Sequence, residues 1–347
     1  MHFIGPVKII GTELNDEIHV PLATFETPLW PSTNRGARAT HAAGGIQASI
    51  LFDHMTRSVV LEAPSGLEAI QVAHTLEEQQ ATLAALVRTT SRFARLKDWH
   101  VQVVGKLLYL RFALTTGDAS GHNMVTKAAD SLLHWILKNY PRLSYVSVSG
   151  NLCCDKKASA VNGLLGRGKY VVAEVVISAA ICQKMLRTTP QKIVDLNVKK
   201  NLLGSIAAGS IRSANAHFAN MLLGLYLATG QDAANIVEGS QGMVHCELQN
   251  NDLYFSVTLP NIIVGTVGNG KDLPFVKQNL TAMGCLNERE PGQNSRRLAL
   301  ITGAVVLCGE LSLLAAQTNR GELVHSHMVL ERQHNAVVHS SLVFEGT

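Results

Sequence analysis

The densest chemistry in the chain lies at Asp155-Lys156-Lys157, an acid beside two lysines, just after the strand-like Tyr145-Val146-Ser147-Val148 and the turn Ser149-Gly150-Asn151. One ammonium there can pair with a carboxylate while the other polarises a carbonyl oxygen as negative charge develops on it. Read alone, the string also fits a solvated turn. Gly265-Thr266-Val267-Gly268-Asn269-Gly270 and Thr116-Gly117-Asp118-Ala119-Ser120-Gly121-His122-Asn123 each lead from a strand into a helix, where backbone N–H groups can cradle phosphates. Neither has the spacing of a dinucleotide fingerprint, and glycine-rich turns are often structural. Ser91-Arg92-Phe93-Ala94-Arg95 offers two guanidinium groups and a hydroxyl, suited to a 2′-phosphate or to the polar end of a helix. Asn215-Ala216-His217-Phe218-Ala219-Asn220 reads as helix with a buried His217. His325-Ser326-His327-Met328 supplies imidazoles whose ordinary pKa suits proton transfer near neutral pH.

The elements that must hold these groups are read from apolar spacing. Residues 7 to 23 predict a strand, an acidic turn and a second strand, followed by a loop. From Gly44 to Met55 the apolar residues Ile46, Ile50, Leu51 and Met55 are spaced as in a helix, with Val59-Val60-Leu61 a short strand after it. Ser65 to Leu96 predicts a long helix, opened by a capping box of Ser65 and Glu68. Val101 to Val104 and Leu107 to Leu114 predict a strand pair, Asn123 to Tyr140 a helix ended by Pro141, and Tyr145 to Val148 a strand. Strand, helix, strand pair, helix and strand make a split βαβ unit of roughly 90 residues, the ferredoxin-like arrangement. The predicted class is therefore α+β. An inserted ferredoxin-like domain over 59–147 interrupts a larger domain built from 1–58 and 148–347. In that larger domain Tyr170 to Ile177 predicts a strand, Ser205 to Thr229 a helix of small residues, Met243 to Val264 two strands, and Pro274 to Met283 a helix. Leu298 to Ala316 has membrane length but carries Glu310, Ser312, Thr302 and two glycines, so a buried central helix is expected.

The 347 residues, 46% apolar and 16% charged, can bury a sizeable core. A net charge of +4 is too small and scattered for a nucleic-acid binder, and leaves an anionic small ligand as the better partner. The six cysteines show no metal-ligand spacing, and the adjacent pair Cys153-Cys154 makes a poor disulfide framework, so no metal and a reducing, cytoplasmic setting are expected. Glu13, Asp16 and Glu17 break any signal-peptide pattern at the N-terminus, and no membrane-spanning segment is expected.

Taken together and in register, these strings resemble the 3-hydroxy-3-methylglutaryl-coenzyme A (HMG-CoA) reductase family. The matching segments are Pro21-Leu22-Ala23-Thr24-Phe25-Glu26 with Ser32-Thr33-Asn34-Arg35-Gly36, Thr90-Ser91-Arg92-Phe93-Ala94-Arg95-Leu96, Gly117-Asp118-Ala119, Asp155-Lys156-Lys157, Asn215-Ala216-His217, Ala228-Thr229-Gly230-Gln231-Asp232, Gly265-Thr266-Val267-Gly268 and Ser326-His327-Met328. The Ser-Arg-Phe-Ala-Arg string is similar to the class found in eukaryotes and archaea, whose cofactor is NADPH.

The resemblance implies a four-electron reduction of HMG-CoA to mevalonate and free coenzyme A with two NADPH. It places the catalytic groups on Glu26, Lys156, Asp232 and His327. Lys156 would stabilise oxyanion character, Glu26 would relay protons in a coupled set with Asp232, and His327 would protonate the departing thiolate. Substrate contacts fall on Arg57, Ser149, Lys157 and Lys200, with Asp155, His217 and Asn220 supporting the pocket. Cofactor contacts fall on Ser91, Arg92 and Phe93 for the 2′-phosphate and adenine, and on Asp118, Ala119, Gly121, Asn123, Val267 and Gly268 for the nicotinamide and pyrophosphate. The resemblance also implies a homodimer or homotetramer with its pocket between subunits. Departures from the family pattern are Ser120 and His122, where the usual motif has Met, Asn269 inside the usual triple glycine, and Arg212-Ser213 in place of two glycines. Met1 starts after the family's coenzyme A-binding N-terminal segment, and Leu330-Glu331-Arg332 lacks the regulatory serine. A relative that keeps the pocket but turns over poorly, or regulates, is the second reading.

Overall fold

Residues 46–62 alternate inward Ile46 and Ala48 with outward Gln47 and Ser49 before the β-branched pair Val59-Val60, and they form one strand, β3 (Ile46–Glu62), of 17 residues. The helix expected from Gly44 to Met55 is therefore absent: the same apolar residues satisfy period two, and β-branched residues favour the pleated state. The computed structural model describes residues 1–325 and 328–329. In it β3 is the spine of two sheets. Its first half pairs with β7 (Gly168–Ile177), Gln47 opposite Glu174 through His54 opposite Gly168. Its second half pairs with β5 (Leu107–Thr115), Met55 opposite Leu114 through Glu62 opposite Leu107.

The larger sheet runs β2-β1-β3-β7-β9-β8, with β1 (His2–Ile10), β2 (Asp16–Leu22), β8 (Met243–Gln249) and β9 (Asp252–Ile262). Against it lies α12 (Gln293–Gln317), buried without a break from Leu298 to Ser312. This helix is long and apolar enough to cross a membrane, but 94% of its apolar window is enclosed by protein. Its small residues permit the enclosure: a Cβ on Gly303 would meet the Val171 side chain at 2.6 Å. On the other side α1 (Leu29–Ala42) packs against it so closely that a Cβ on Gly36 would sit 1.9 Å from the Cys308 carbonyl oxygen. The sequence reading expected loop at α1. Its buried stripe of Leu29, Thr33, Gly36, Ala37 and Thr40 has helical spacing, yet it is too small and polar to register as an apolar face.

The smaller sheet runs β4-β5-β3-β6 with every neighbour antiparallel, using β4 (Arg95–Val104) and β6 (Ser144–Ser147). It is covered by α2 (Gly66–Glu78), α3 (Gln80–Thr90) and α4 (His122–Asn139), whose Leu76, Leu83, Val87 and Leu132 join Phe112 in a second core. The Ser65 hydroxyl accepts the Glu68 N–H at 3.2 Å as the capping box requires. The helix divides at Gln79 and ends at Thr90, short of the Leu96 expected.

The remaining helical segments are α5 (Ala160–Leu165), the turns α6 (Ala179–Ile181), α8 (Ser205–Ala207) and α10 (Ile236–Gly239), and the helices α7 (Pro190–Leu196), α9 (Phe218–Ala228) and α11 (Pro274–Ala282). The continuous helix expected from Ser205 to Thr229 is broken. Residues 210–217 are irregular, and the Asn215 amide donates to the carbonyls of Ser240 and Gly242.

Candidate active site

Lys156 lies in the left-handed region, φ 57°, which a side chain-bearing residue adopts only when its surroundings enforce it. Here the enforcement comes from behind. The Lys156 N–H donates to Glu238 Oε1 at 3.1 Å, and that oxygen also accepts from Asn235 at 2.9 Å. Arg167, with no exposure, places Nη1 2.9 Å from Glu238 and 3.0 Å from Asp155. A buried guanidinium thus joins the carboxylate that holds the Lys156 backbone to the carboxylate just before it. In front, Lys156 Nζ is 2.8 Å from Asp232 Oδ2. That bond raises the lysine pKa. Burial pushes Asp232 upward, but the hydrogen bonds from Lys156 and the Ala234 N–H outweigh it, so its pKa falls. Both groups are charged near neutral pH. Arg57 of β3 approaches the same end, donating to Thr126 Oγ1 at 2.6 and 3.0 Å and to Ser149 Oγ at 3.3 Å. Lys157 folds its ammonium back onto the Asp155 carbonyl at 3.1 Å.

A second cluster forms where α9 begins. Asn220 donates to Glu26 Oε2 at 2.7 Å and lies 3.5 Å from His217 Nδ1, so one amide spans the carboxylate and the ring. His217 Nε2 is 3.0 Å from the Gly309 carbonyl, which assigns the proton to Nε2 and leaves Nδ1 to accept. Burial lowers the His217 pKa to about 4, keeping the ring neutral. Lys200 sits in a π-type stretch, Asn197–Gly204, with Nζ 3.1 Å from Asn201 Oδ1. Burial lowers its pKa while Glu310 opposes the shift. Glu26, His217 and Asn220 line a cavity of about 370 Å³ with Ser32 and Arg35. Arg35 also belongs to an adjoining cavity of about 870 Å³ with Arg38, Lys184, Arg187 and His325.

These clusters occupy opposite ends of one helix. Asn220 is in the first turn of α9 and Asp232 follows its last residue, Ala228. The rise from Asn220 to Ala228 alone is about 12 Å. Among the described residues, no hydrogen bond or ion pair links Glu26 to Lys156 or Asp232.

A third region lies on the smaller sheet. Arg92 holds its guanidinium 4.7 Å from the Phe93 ring centre, and the Ser91 hydroxyl accepts the Phe93 N–H at 3.2 Å. Arg92 and Phe93 line a cavity of about 800 Å³ with Arg95, Lys97, Arg296 and Gly117. Such a wall suits a phosphate and a flat base. From Gly117 the chain enters the two glycine-bearing turns, which lie edge to edge: the Thr266 N–H donates to the Asp118 carbonyl at 2.8 Å and Ala119 bridges Val267. A Cβ on Gly265 would meet the Ser120 nitrogen at 2.3 Å, so only glycine allows the approach. Asn123, Val267 and Gly268 are exposed beside it, and Gly121 opens α4 at φ 97°. The Asp118 carboxylate is committed elsewhere, accepting the Gly292 and Ser295 N–H groups, each at 2.9 Å, at the start of α12.

The hydroxymethylglutaryl-coenzyme A reductase family model matches residues 1–332. The chain is 44% identical over 330 residues to the 3-hydroxy-3-methylglutaryl-coenzyme A reductase of Aeropyrum pernix, covering 94% of this chain and 78% of that one. The chain belongs to this reductase family. It is also 44% identical to reductase 1 of Oryza sativa subsp. japonica, over 94% of this chain and 63% of that protein. Among solved structures, the class II 3-hydroxy-3-methylglutaryl-CoA reductase from Streptococcus pneumoniae bound to NADPH superimposes with a TM-score of 0.71. That match is 19% identical and covers 92% of this chain and 84% of that one, a likeness of fold.

The reductase's expected residues are thus sorted by position. Lys156, Asp155, Asp232, Arg57 and Ser149 gather at one end of α9, and Glu26, His217, Asn220 and Lys200 at the other. Ser91, Arg92 and Phe93 with the two turns form the third region. His327 lies outside the described residues. Sequence reasoning missed Arg167 and Glu238, which fix Lys156, and the basic cavity of Arg38, Lys184 and Arg187. A buried Glu or Arg carries no local signature, and the cavity's cations come from segments about 150 residues apart in sequence.

Proposed function

We propose that the chain catalyses the NADPH-dependent, four-electron reduction of HMG-CoA to mevalonate and free coenzyme A, in sites formed between two copies of the chain. The observation that carries this reading is the Lys156–Asp232 ion pair, held at one end of α9 while Glu26 waits at the other. Closing Glu26 of one copy onto Lys156 of a partner would complete the acid–base set. Exposed Phe25, Ile206, Leu223 and Leu227 around these ends supply apolar surface for such a contact. The strand order of the smaller sheet supports a ferredoxin-like insertion as the cofactor-holding domain.

NADPH supplies a hydride at each of the two reductive stages. The chain's own residues do the rest. Lys156, aimed by Asp232, donates from Nζ to the substrate carbonyl oxygen as charge builds there, and its left-handed backbone prepays the orientation. Glu26, held by Asn220, carries the proton that the alkoxide or hemiacetal oxygen exchanges. His217, neutral and fixed to Gly309, keeps Asn220 turned toward Glu26. His327 is assigned to protonate the coenzyme A thiolate, which improves it as a leaving group. Arg57, Ser149, Lys157 and Lys200 take the substrate carboxylate, while Arg35, Arg38, Lys184 and Arg187 give coenzyme A phosphates a cationic wall. The six unpaired thiols suit a reducing compartment such as the cytosol.

The test follows nicotinamide absorbance and free thiol together with HMG-CoA as substrate. Two NADPH consumed per thiol released, with mevalonate as product, is expected. Thioester binding without NADPH consumption would instead identify a relative that has lost turnover.

A further inference from the structure

The Lys156 end of the site holds an imidazole that none of these roles uses. His122 is the first residue of α4, and its carbonyl accepts the Thr126 hydroxyl at 2.8 Å, the same hydroxyl that receives Arg57. Its ring leans over the lysine segment, with Nδ1 3.4 Å from Ser120 Oγ and Nε2 3.7 Å from Asp155 Oδ1. Both atoms are buried; Nε2 lacks a hydrogen-bond partner among the described residues, and Asp155 Oδ1 has only its 3.0 Å ion pair with Arg167. Two complementary polar atoms, shielded from water and just beyond bonding reach, need only a proton and a small shift to join.

We propose that His122 is a proton-linked positioning residue: while neutral it leaves Asp155 to Arg167 and Lys156 to Asp232, and when protonated it draws Asp155 to itself and switches turnover off. The proposal rests on the reductase reading of this site. The charged groups facing the ring are Arg167 and Lys156, which oppose its protonation, and Asp155 and Asp232, which favour it. Burial is the largest influence and, with the positive end of α4, keeps the ring neutral at neutral pH, since its pKa is lowered. Protonation would set a third cation beside Arg167 and Lys156. It would also loosen the backbone of a lysine that depends on an enforced left-handed conformation.

The experiment measures kcat and KM for HMG-CoA across mildly acidic to mildly alkaline pH in the full chain and in His122→Met and His122→Gln. The wild type should show an acid limb below about pH 6.5, falling about tenfold per unit past its midpoint, and both variants should lose that limb. KM should follow pH alike in all three. Carbon-13-labelled histidine gives a second readout: the resonance missing from His122→Met should titrate below the ordinary histidine value in the wild type. An acid limb unchanged in both variants, or a His122 midpoint at or above about 6.5, overturns the proposal. If the wild type does not reduce the thioester at any pH, the reductase reading fails, whereas a His122 midpoint at or above about 6.5 in an active enzyme overturns this inference alone.

Discussion

Replacing Arg167 by Met tests the scaffold behind Lys156. The side chain is fully buried, with Nη1 2.9 Å from Glu238 and 3.0 Å from Asp155. Met keeps much of the volume and removes the cation, leaving two carboxylates to face each other. Breaking a buried ion pair from one side costs about 3–5 kcal/mol, because the remaining charge is desolvated and uncompensated. Glu238 can relieve part of this by taking up a proton, as its pKa already stands above the ordinary value through burial. A carboxyl whose folded pKa is raised gives its full stabilisation below the unfolded value and loses it as pH rises through the folded value. Without Arg167 the Glu238 pKa should climb further. The deficit of Arg167→Met should therefore be smallest in mild acid and grow toward neutral and alkaline pH. Urea unfolding at several pH values reads it directly, and kcat should fall with it because Glu238 also holds the Lys156 N–H. A loss under about 1 kcal/mol at neutral pH, or one that does not vary with pH, would refute the argument.

Lys156→Ala should lower kcat about a hundred- to a thousandfold with a much smaller change in NADPH affinity, checked by steady-state kinetics and cofactor titration. Gly36→Ala should destabilise the chain at or beyond the upper end of about 1–3 kcal/mol, seen in thermal unfolding, because the added Cβ would overlap backbone at Cys308 rather than a movable side chain. Glu310, fully buried, has its pKa raised to about 7 by burial, although the Ala216 and His217 N–H groups and Lys200 oppose this. Its stabilising contribution should be complete in mild acid and fade as pH rises through that value. Glu310→Gln should therefore flatten the fall in melting temperature over this range, while lowering the melting temperature overall because its amide NH2 meets a backbone donor.

Much of the candidate site was legible because chemistry-bearing residues cluster in short strings. Asp155-Lys156-Lys157, Asn215 to Asn220 and the two glycine turns each lie in one of the three candidate regions. The buried run of α12 was equally legible, since a run of nineteen residues that is apolar or small except for Glu310 makes poor membrane sequence but a workable core helix. Other elements were hidden for physical reasons. α1 buries glycine, alanine and threonine against α12, so its inward face carries no bulky apolar signal. β3 bears an apolar spacing that helix and strand share, and long-range pairing with β5 and β7 decides between them. His217 lies just before α9 because Glu310, ninety-three residues later in sequence, takes the N–H groups of 216 and 217. The division of the site between the two ends of α9 was invisible to any local pattern, since it depends on which way that helix points.

That division is tested most directly by mixing two inactive chains, Glu26→Ala and Lys156→Ala, after dissociation and reassociation, and measuring NADPH oxidation with HMG-CoA. In a symmetric pair that shares its sites, each mixed pair keeps one intact site, so equal mixing should restore about a quarter of wild-type activity. If mixed pairs form and activity stays at the level of the separate variants, Glu26 and Lys156 act within one chain and the shared site does not exist.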